Sequence, residues 1–259
     1  MNKEEIKKLL EEKYETYATE EFIAGDPVAI PHLFSRKENI EIAGFLSASI
    51  AWGLRTTIVK NARHLMQIMD FDPWEYIINI EEQDLEELQD FCHRTFNGTD
   101  LIFFIKALSN IYRNHGGLEK VFMKGYHRNQ SIKDALIYFR KVFFKIDHPQ
   151  RTEKHISSIE NGAAAKRLNM FLRWMVRTEA SGIDFGLWKE ISPAHLYLPL
   201  DIHTGNVARA LGLLKRRQND WKAVEELTEV LKEFDPVDPV KYDYALFGMG
   251  ILEGIKINV

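Results

Sequence analysis

Cysteine is almost missing from this chain, since Cys92 is the only one in 259 residues. A single thiol cannot form an intrachain disulfide, and it cannot supply the several cysteines that a zinc or iron–sulfur site within one chain requires. A lone cysteine also fits a reducing compartment. We therefore expect a cytoplasmic protein. With 259 residues, the chain is also long enough to bury a sizeable core.

Long hydrophobic runs are missing as well. No segment approaches the roughly 18 consecutive apolar residues that a membrane span needs, and residues 1–14 are rich in Lys and Glu, without the apolar core of a signal peptide. Hydrophobic residues still make up 45% of the chain and charged residues 28%, which is typical of a globular protein. The composition predicts a soluble protein with no membrane partner.

The chain also lacks the net positive charge that many DNA-binding proteins carry, because its formal net charge is −4. The charge is unevenly distributed. Residues 1–26 contain eight acidic and four basic residues, whereas residues 151–177 contain six basic and two acidic ones. Positive charge is therefore concentrated in the third quarter of the chain.

The nine histidines are scattered, and no two of them are three or four positions apart. That spacing would place two histidines on one face of a helix, as many zinc sites require. We therefore expect no metal site.

Most of the chain shows helical periodicity, without sustained strand alternation or internal repeats. The expected fold class is all-α, in a single helical unit of residues 1–259. A loop at His148–Thr152 separates a helical subdomain over residues 25–145 from a second one over residues 146–259. The predicted helical segments are Glu4–Tyr17, Asn39–Gly53, Thr56–Met69, Asp72–Asn79, Asp84–Thr95, Asp100–Asn114, Leu118–Lys124, Ser131–Phe144, Lys166–Thr178, a short turn near Phe185–Ile191, Ile202–Leu211, Asp220–Glu233 and Pro239–Leu252.

The predicted helix that begins at Lys166 is amphipathic. One stripe of apolar residues should face the core, while a narrow arc on the opposite side holds Lys166, Arg173 and Arg177. Lys166 should therefore open the helix on an exposed, basic face. The residues just before it, Asn161 to Ala165, carry little side-chain bulk, so their amides could approach a phosphate closely. An ordinary solvated helix face would show the same pattern.

A second segment, Leu198–His203, contains Asp201 directly before a predicted helix. Pro199 favours extended backbone ahead of Asp201, which then lies where a helix N-cap belongs. A carboxylate at a helix N-terminus stays ionised, so it could stabilise developing positive charge or accept a proton from a nucleophile. Helix capping alone would also explain an aspartate here.

These two segments, in this order, resemble the hairpin and loop of the helix-hairpin-helix/GPD DNA glycosylase superfamily, which includes endonuclease III and the 8-oxoguanine glycosylases. There, a hairpin L-P-G-V-G-x-K is followed by V/I-P-V-D-x-H-x-x-R-V, and Gly162–Lys166 and Leu198–His203 stand in those places. Phe45–Ser49 resembles the early L-L-S-A-Q segment, and Asp238–Gly250 resembles the last core helix. The whole chain also resembles a bacterial family of uncharacterised helical proteins, the DUF2400-like family, in its stretches KRLNMFLRWMVR and DPVKYDYALFGMGI.

The resemblance implies the two-subdomain helical fold of these glycosylases and base-excision repair of duplex DNA that contains a damaged base, with oxidised purines among the candidate lesions. It implies Lys166 as a Schiff-base nucleophile and Asp201 as its carboxylate partner, in an enzyme that also cleaves the strand and needs no cofactor. The residues expected at the DNA backbone are Gly162, Ala163, Ala164, Arg167, Arg173 and Lys154. The candidates for a base pocket or wedge are Trp52, Ser49, Trp174 and His203.

The chain departs from the superfamily pattern at the hairpin, which lacks Leu-Pro-Gly and keeps one of the two glycines. The interval of 35 residues from Lys166 to Asp201 is longer than in endonuclease III and closer to the archaeal 8-oxoguanine glycosylases. Two other functions therefore stay open. One is a non-catalytic helix-hairpin-helix protein that binds nucleic acid, and the other is a helical enzyme acting on a small nucleobase compound.

Overall fold

The computed structural model describes residues 1–254. The α-helices in that range are α1 Lys3–Tyr17, α2 Glu21–Ala24, α3 Lys37–Ser49, α4 Arg55–Ile68, α5 Pro73–Asn79, α6 Gly98–Asn114, α7 Leu118–Tyr126, α8 Ile132–Phe143, α9 Lys166–Val176, α10 Ile202–Ala210, α11 Trp221–Lys232 and α12 Tyr242–Ile251. Two short strands, β1 Cys92–His93 and β2 Phe96–Asn97, pair antiparallel. The 3₁₀ turns are Pro27–Ala29, Pro31–Leu33, Glu82–Leu85, Gln150–His155, Pro193–His195 and Pro239–Lys241. The expected all-α class is confirmed.

Several helix ends follow directly from the local sequence. Ser131 caps α8 by accepting a hydrogen bond from the backbone N–H of Asp134. Gly212 follows the C-cap of α10 with a φ of +72°, a left-handed conformation that glycine adopts without steric cost. Both helix ends are thus determined by residues that are close to them in the sequence.

Two segments predicted as helical are not helices. In place of a helix over Asp84–Thr95, a 3₁₀ turn is followed by the β1–β2 hairpin. Side chains here alternate between buried and exposed, as in a strand: Phe91 and His93 are buried, while Cys92 between them is exposed. The segment near Phe185–Ile191 is irregular, and its N–H groups donate to carbonyls at the end of α9: Phe185 to Trp174 over 2.8 Å and Trp188 to Met175 over 2.9 Å.

The chain forms two compact units. The first combines Met1–Phe22 with the chain from Ser158 onward, and the second is Ile23–Ser157. Within residues 1–254, no helix combines the length and the apolar character needed to cross a membrane.

Helix α12 lies at the centre of the first unit, with α1 and α10 packed against it. Glycines allow these close approaches, since a Cβ atom at Gly248 would lie 2.2 Å from the ring of Tyr17. One built at Gly250 would lie 3.0 Å from the Cβ of His203 on α10. The backbone of α12 therefore sets where the first turn of α10 lies.

In the second unit, helix α3 is buried from Asn39 to Ser49 and carries Phe45 into a cluster of phenylalanines. The ring of Phe45 lies 6.0 Å from that of Phe104 and 5.5 Å from that of Phe143. At the start of α6, the buried carboxylate of Asp100 accepts hydrogen bonds from Thr152 over 2.7 Å and Arg151 over 2.8 Å. Asp100 thereby ties the last turn of this unit to its core.

Candidate functional site

Lys166 and Asp201 lie together in the first unit. The Nζ atom of Lys166 is 3.3 Å from Oδ2 of Asp201, and the two side chains are 27% and 18% exposed. The amine and the carboxylate are thus partly shielded from water but can be reached from solvent. The structure brings together the two side chains that the sequence singled out.

The turn before α9 fixes the position of Lys166. Gly162 has a φ of +82° and Ala165 a φ of +49°, so the chain turns twice through the left-handed region before the helix begins at Lys166. The carbonyl of Gly162 accepts a hydrogen bond of 2.9 Å from the N–H of Trp221, which anchors the turn to α11. The first N–H groups of a helix have no intrahelical acceptor, so this end of α9 offers donors to an anion.

Asp201 is the N-cap of α10, as the sequence predicts. Its backbone is extended, and Oδ1 accepts a 2.9 Å hydrogen bond from the N–H of Thr204. The preceding loop is held in place because the N–H of Leu198 donates to Oγ1 of Thr228 on α11 over 3.1 Å. One carboxylate oxygen therefore caps the helix while the other faces Lys166.

An aromatic wall that the sequence did not indicate lies beside the pair. The ring centroid of Phe247, on α12, is 5.7 Å from the Nζ of Lys166. His203 approaches the same ring edge-on, with centroids 6.5 Å apart. His203 was a weak pocket candidate, and the structure places it half-buried in this wall. Sequence reasoning assigned Phe247 only to a core helix.

Asn219 was also missed, although its side chain holds the segment that carries Asp201. Its Nδ2 donates to the backbone carbonyl of Asp201 over 2.9 Å, and its Oδ1 accepts from Nη2 of Arg209 over 2.5 Å. Gly205 makes room for this contact, since a Cβ atom there would lie 2.8 Å from both side chains. No local pattern marks Asn219, since its partners Asp201 and Arg209 lie 18 and 10 positions earlier in the sequence.

The prediction that Arg173 lies on an exposed face and contacts DNA is wrong. Arg173 is 3% exposed and Arg177 is 1% exposed. Arg173 forms ion pairs with Asp184 and Asp243, and Arg177 with Asp184, Asp238 and Glu179. A second packing surface therefore covers this side of α9, and its carboxylates offset the cost of burying two guanidinium groups.

Four carboxyl groups share these two guanidinium groups, so negative charge is in excess in a buried region. Burial raises the pKa of Asp243 to about 6, an effect that Arg173 opposes and that the nearby Asp201 reinforces. Lys166 also acts on Asp243, lowering its pKa. Asp243 therefore couples the buried ion pairs electrostatically to the Lys166–Asp201 pair.

The remaining DNA-backbone candidates differ in their surroundings. Gly162, Ala163 and Ala164 are half-buried in the turn before α9. Arg167 is half-buried too, and this burial lowers its pKa to about 10, so it remains a cation near neutral pH. Lys154 is exposed but belongs to the second unit.

The prediction of Trp174 as a pocket or wedge residue is wrong, because its side chain is fully buried in the first unit and offers no face to a base. Trp52 and Ser49 belong to the second unit. The indole of Trp52 is half-buried and stacks on the ring of His155, with centroids 5.8 Å apart. Ser49 is 4% exposed, near the end of α3.

No group of three or more His, Cys, Asp or Glu side chains within residues 1–254 is arranged to hold a metal ion.

Comparison with known proteins gives one family and no activity. No curated protein and no solved structure matches the chain. The family model described as "Protein of unknown function (DUF2400)" matches residues 26–252, which is most of the sequence. The chain belongs to the DUF2400 family.

Proposed function

We propose that this protein is a base-excision DNA glycosylase with strand-cleaving lyase activity, acting in the cytoplasm on duplex DNA that contains a damaged base. The observation that carries the proposal is the 3.3 Å contact between Lys166 Nζ and Asp201 Oδ2 in a partly exposed position. A lysine amine beside a carboxylate is the pair that Schiff-base chemistry at a sugar carbon requires. The resemblance of both segments to the glycosylase superfamily supports the same assignment.

The first step removes the base. Asp201 accepts a proton from the Lys166 ammonium, and the neutral amine attacks the sugar C1′ of an extruded nucleotide. The N–C1′ bond forms while the glycosidic bond breaks, and its electron pair leaves on the base nitrogen, which takes up a proton. Asp201 passes the proton it accepted to the departing base nitrogen, and the carboxylate restored in this way stabilises the positive charge on the sugar.

The second step cleaves the strand. The nitrogen then loses one proton, and its lone pair forms the C1′–N double bond as the C1′–O4′ bond breaks. O4′ takes up a proton, which leaves a protonated imine between Lys166 and C1′. Removal of a proton from C2′ then expels the 3′ phosphate oxygen, so the C3′–O bond breaks. Water hydrolyses the imine and releases Lys166 for another cycle.

The turn formed by Gly162, Ala163 and Ala164 would hold the DNA backbone, with Arg167 as a nearby cation. Its small side chains and the first amides of α9 suit a phosphate group. Such contacts position the strand without reading its sequence. The base would lie toward the Phe247 and His203 wall, on the side of Lys166.

The test is covalent trapping. Wild type, Lys166→Gln and the matched control Lys8→Gln are incubated with a duplex containing one abasic site in the presence of borohydride, which reduces an imine to a stable adduct. Wild type and Lys8→Gln should give the adduct, and Lys166→Gln should give none. An equal yield from Lys166→Gln would remove Lys166 as the nucleophile. A panel of duplexes with 8-oxoguanine, uracil and alkylated bases then identifies the lesion.

One observation favours a non-catalytic nucleic-acid-binding protein as the alternative. Oδ1 of Asp201 already caps α10, so this carboxylate has a structural task that requires no chemistry. This alternative predicts salt-dependent binding of duplex DNA by wild type without any trapped adduct.

A further inference from the structure

The loop Lys215–Asp220, between α10 and α11, lies against both halves of the candidate site. Asp220, which ends the loop, forms an isolated β-bridge with Ala163 of the turn before α9. Asn219 donates to the carbonyl of Asp201 over 2.9 Å. The loop therefore contacts the expected phosphate-binding turn and the segment that carries the carboxylate.

This loop is held in one conformation by side chains from its surroundings. Nε of Arg209 donates to the carbonyl of Arg216 over 2.7 Å, and the N–H of Lys215 donates to Oε1 of Glu226 over 2.6 Å. Arg216 is itself paired with Asp220, with Nε 2.6 Å from Oδ1. The positive charge of Arg216 is thus neutralised within the loop.

Lys215 and Arg217 differ from Arg216 in their environment. Both are exposed, and within residues 1–254 no carboxylate forms an ion pair with either. A loop whose backbone is already fixed loses little conformational entropy when it binds, so these two cations are presented at low cost. Two uncompensated cations on a rigid surface suit a ligand with repeated negative charges.

We propose that Lys215 and Arg217 bind the phosphodiester backbone of duplex DNA and extend the phosphate-binding surface from the turn Gly162–Ala164 past Asp201. The inference rests on the proposed function, because it names a second backbone contact of that site. The contacts are to phosphates, so they contribute affinity that does not depend on sequence. The overall charge of −4 makes a local cationic surface of this kind necessary for DNA binding.

The test measures binding of an undamaged, fluorescein-labelled duplex by anisotropy at several NaCl concentrations. Wild type is compared with Lys215→Ala/Arg217→Ala and with Lys8→Ala/Lys189→Ala, a control that removes two exposed lysines elsewhere in the first unit. Each phosphate contact contributes about 0.9 to the slope of log K against log salt. The loop variant should therefore lose about two from the slope and bind more weakly at every salt concentration. The control should keep the wild-type slope.

A wild-type slope in the loop variant would overturn the inference even where wild type binds DNA and gives the borohydride adduct. A reduced slope in the loop variant supports the inference whether or not an adduct forms, and a missing adduct then counts against the glycosylase alone. Salt-independent or absent binding by wild type would overturn both.

Discussion

The Nζ atom of Lys166 and Oδ2 of Asp201 lie 3.3 Å apart although 35 positions separate them in the sequence. Both residues stand at the first turn of a helix, but the two helices begin by different means. A left-handed turn at Ala165 starts α9, whereas the Asp201 side chain itself starts α10. The distance between amine and carboxylate therefore depends on how these two helix ends are held in place. Substitutions of Asp201 can separate its chemical role from its role as a helix cap.

Asp201→Asn should keep the fold and lose the chemistry. Asparagine caps helices about as well as aspartate, so the free energy of unfolding should change by less than about 1 kcal/mol. The trapping rate on abasic-site DNA should fall by about 10²- to 10⁴-fold, because the group that takes the amine proton is gone. Single-turnover trapping and urea denaturation measure the two quantities. An unchanged trapping rate would show that the carboxylate only caps the helix.

Arg173→Met should destabilise the protein far more than Arg217→Ala. Arg173 is buried between Asp184 and Asp243, and removing one partner of a buried ion pair costs about 3–5 kcal/mol. Arg217 is exposed, so its removal should change the free energy of unfolding by less than about 0.5 kcal/mol. Urea denaturation of both variants makes the comparison. Equal effects would contradict the burial of Arg173.

Asp243→Asn should change stability in a pH-dependent way. The pKa of Asp243 is 3.8 as an isolated group and about 6 in the folded protein. Between these values the folded state binds more protons than the unfolded state, so the contribution of Asp243 to the free energy of unfolding falls as pH rises from 4 to 6. The asparagine side chain does not titrate. The variant should therefore gain up to about 3 kcal/mol relative to wild type between pH 4 and pH 7.

Urea denaturation of wild type and Asp243→Asn at pH 4 and pH 7 gives this difference. Titrations common to both proteins cancel, which isolates the one carboxyl group. A stability difference that is the same at both pH values would show that folding leaves the pKa of Asp243 unchanged.

The sequence allowed the helical class, the start of α9 at Lys166 and the cap at Asp201 to be predicted, because these features depend on residues a few positions apart. The burial of Arg173 could not be predicted in this way. A helical wheel shows that Arg173 lies opposite Phe171, but it does not show that Asp243, 70 positions later, covers that side. The β1–β2 hairpin was missed for a similar reason, since the alternation at Phe91 and His93 is too short to stand out.

Asn219→Ala should slow the chemistry more than it weakens binding. The Asn219 amide is the side-chain donor to the Asp201 carbonyl, over 2.9 Å, and Asn219 is exposed, so its loss removes a positioning contact without opening a cavity. A small displacement of a catalytic group can cost up to about 10²-fold in rate. We expect the trapping rate at saturating abasic-site DNA to fall by about tenfold or more, with the Kd for undamaged duplex changed less than about threefold. A parallel loss of rate and affinity in Asn219→Ala would instead assign Asn219 to DNA binding.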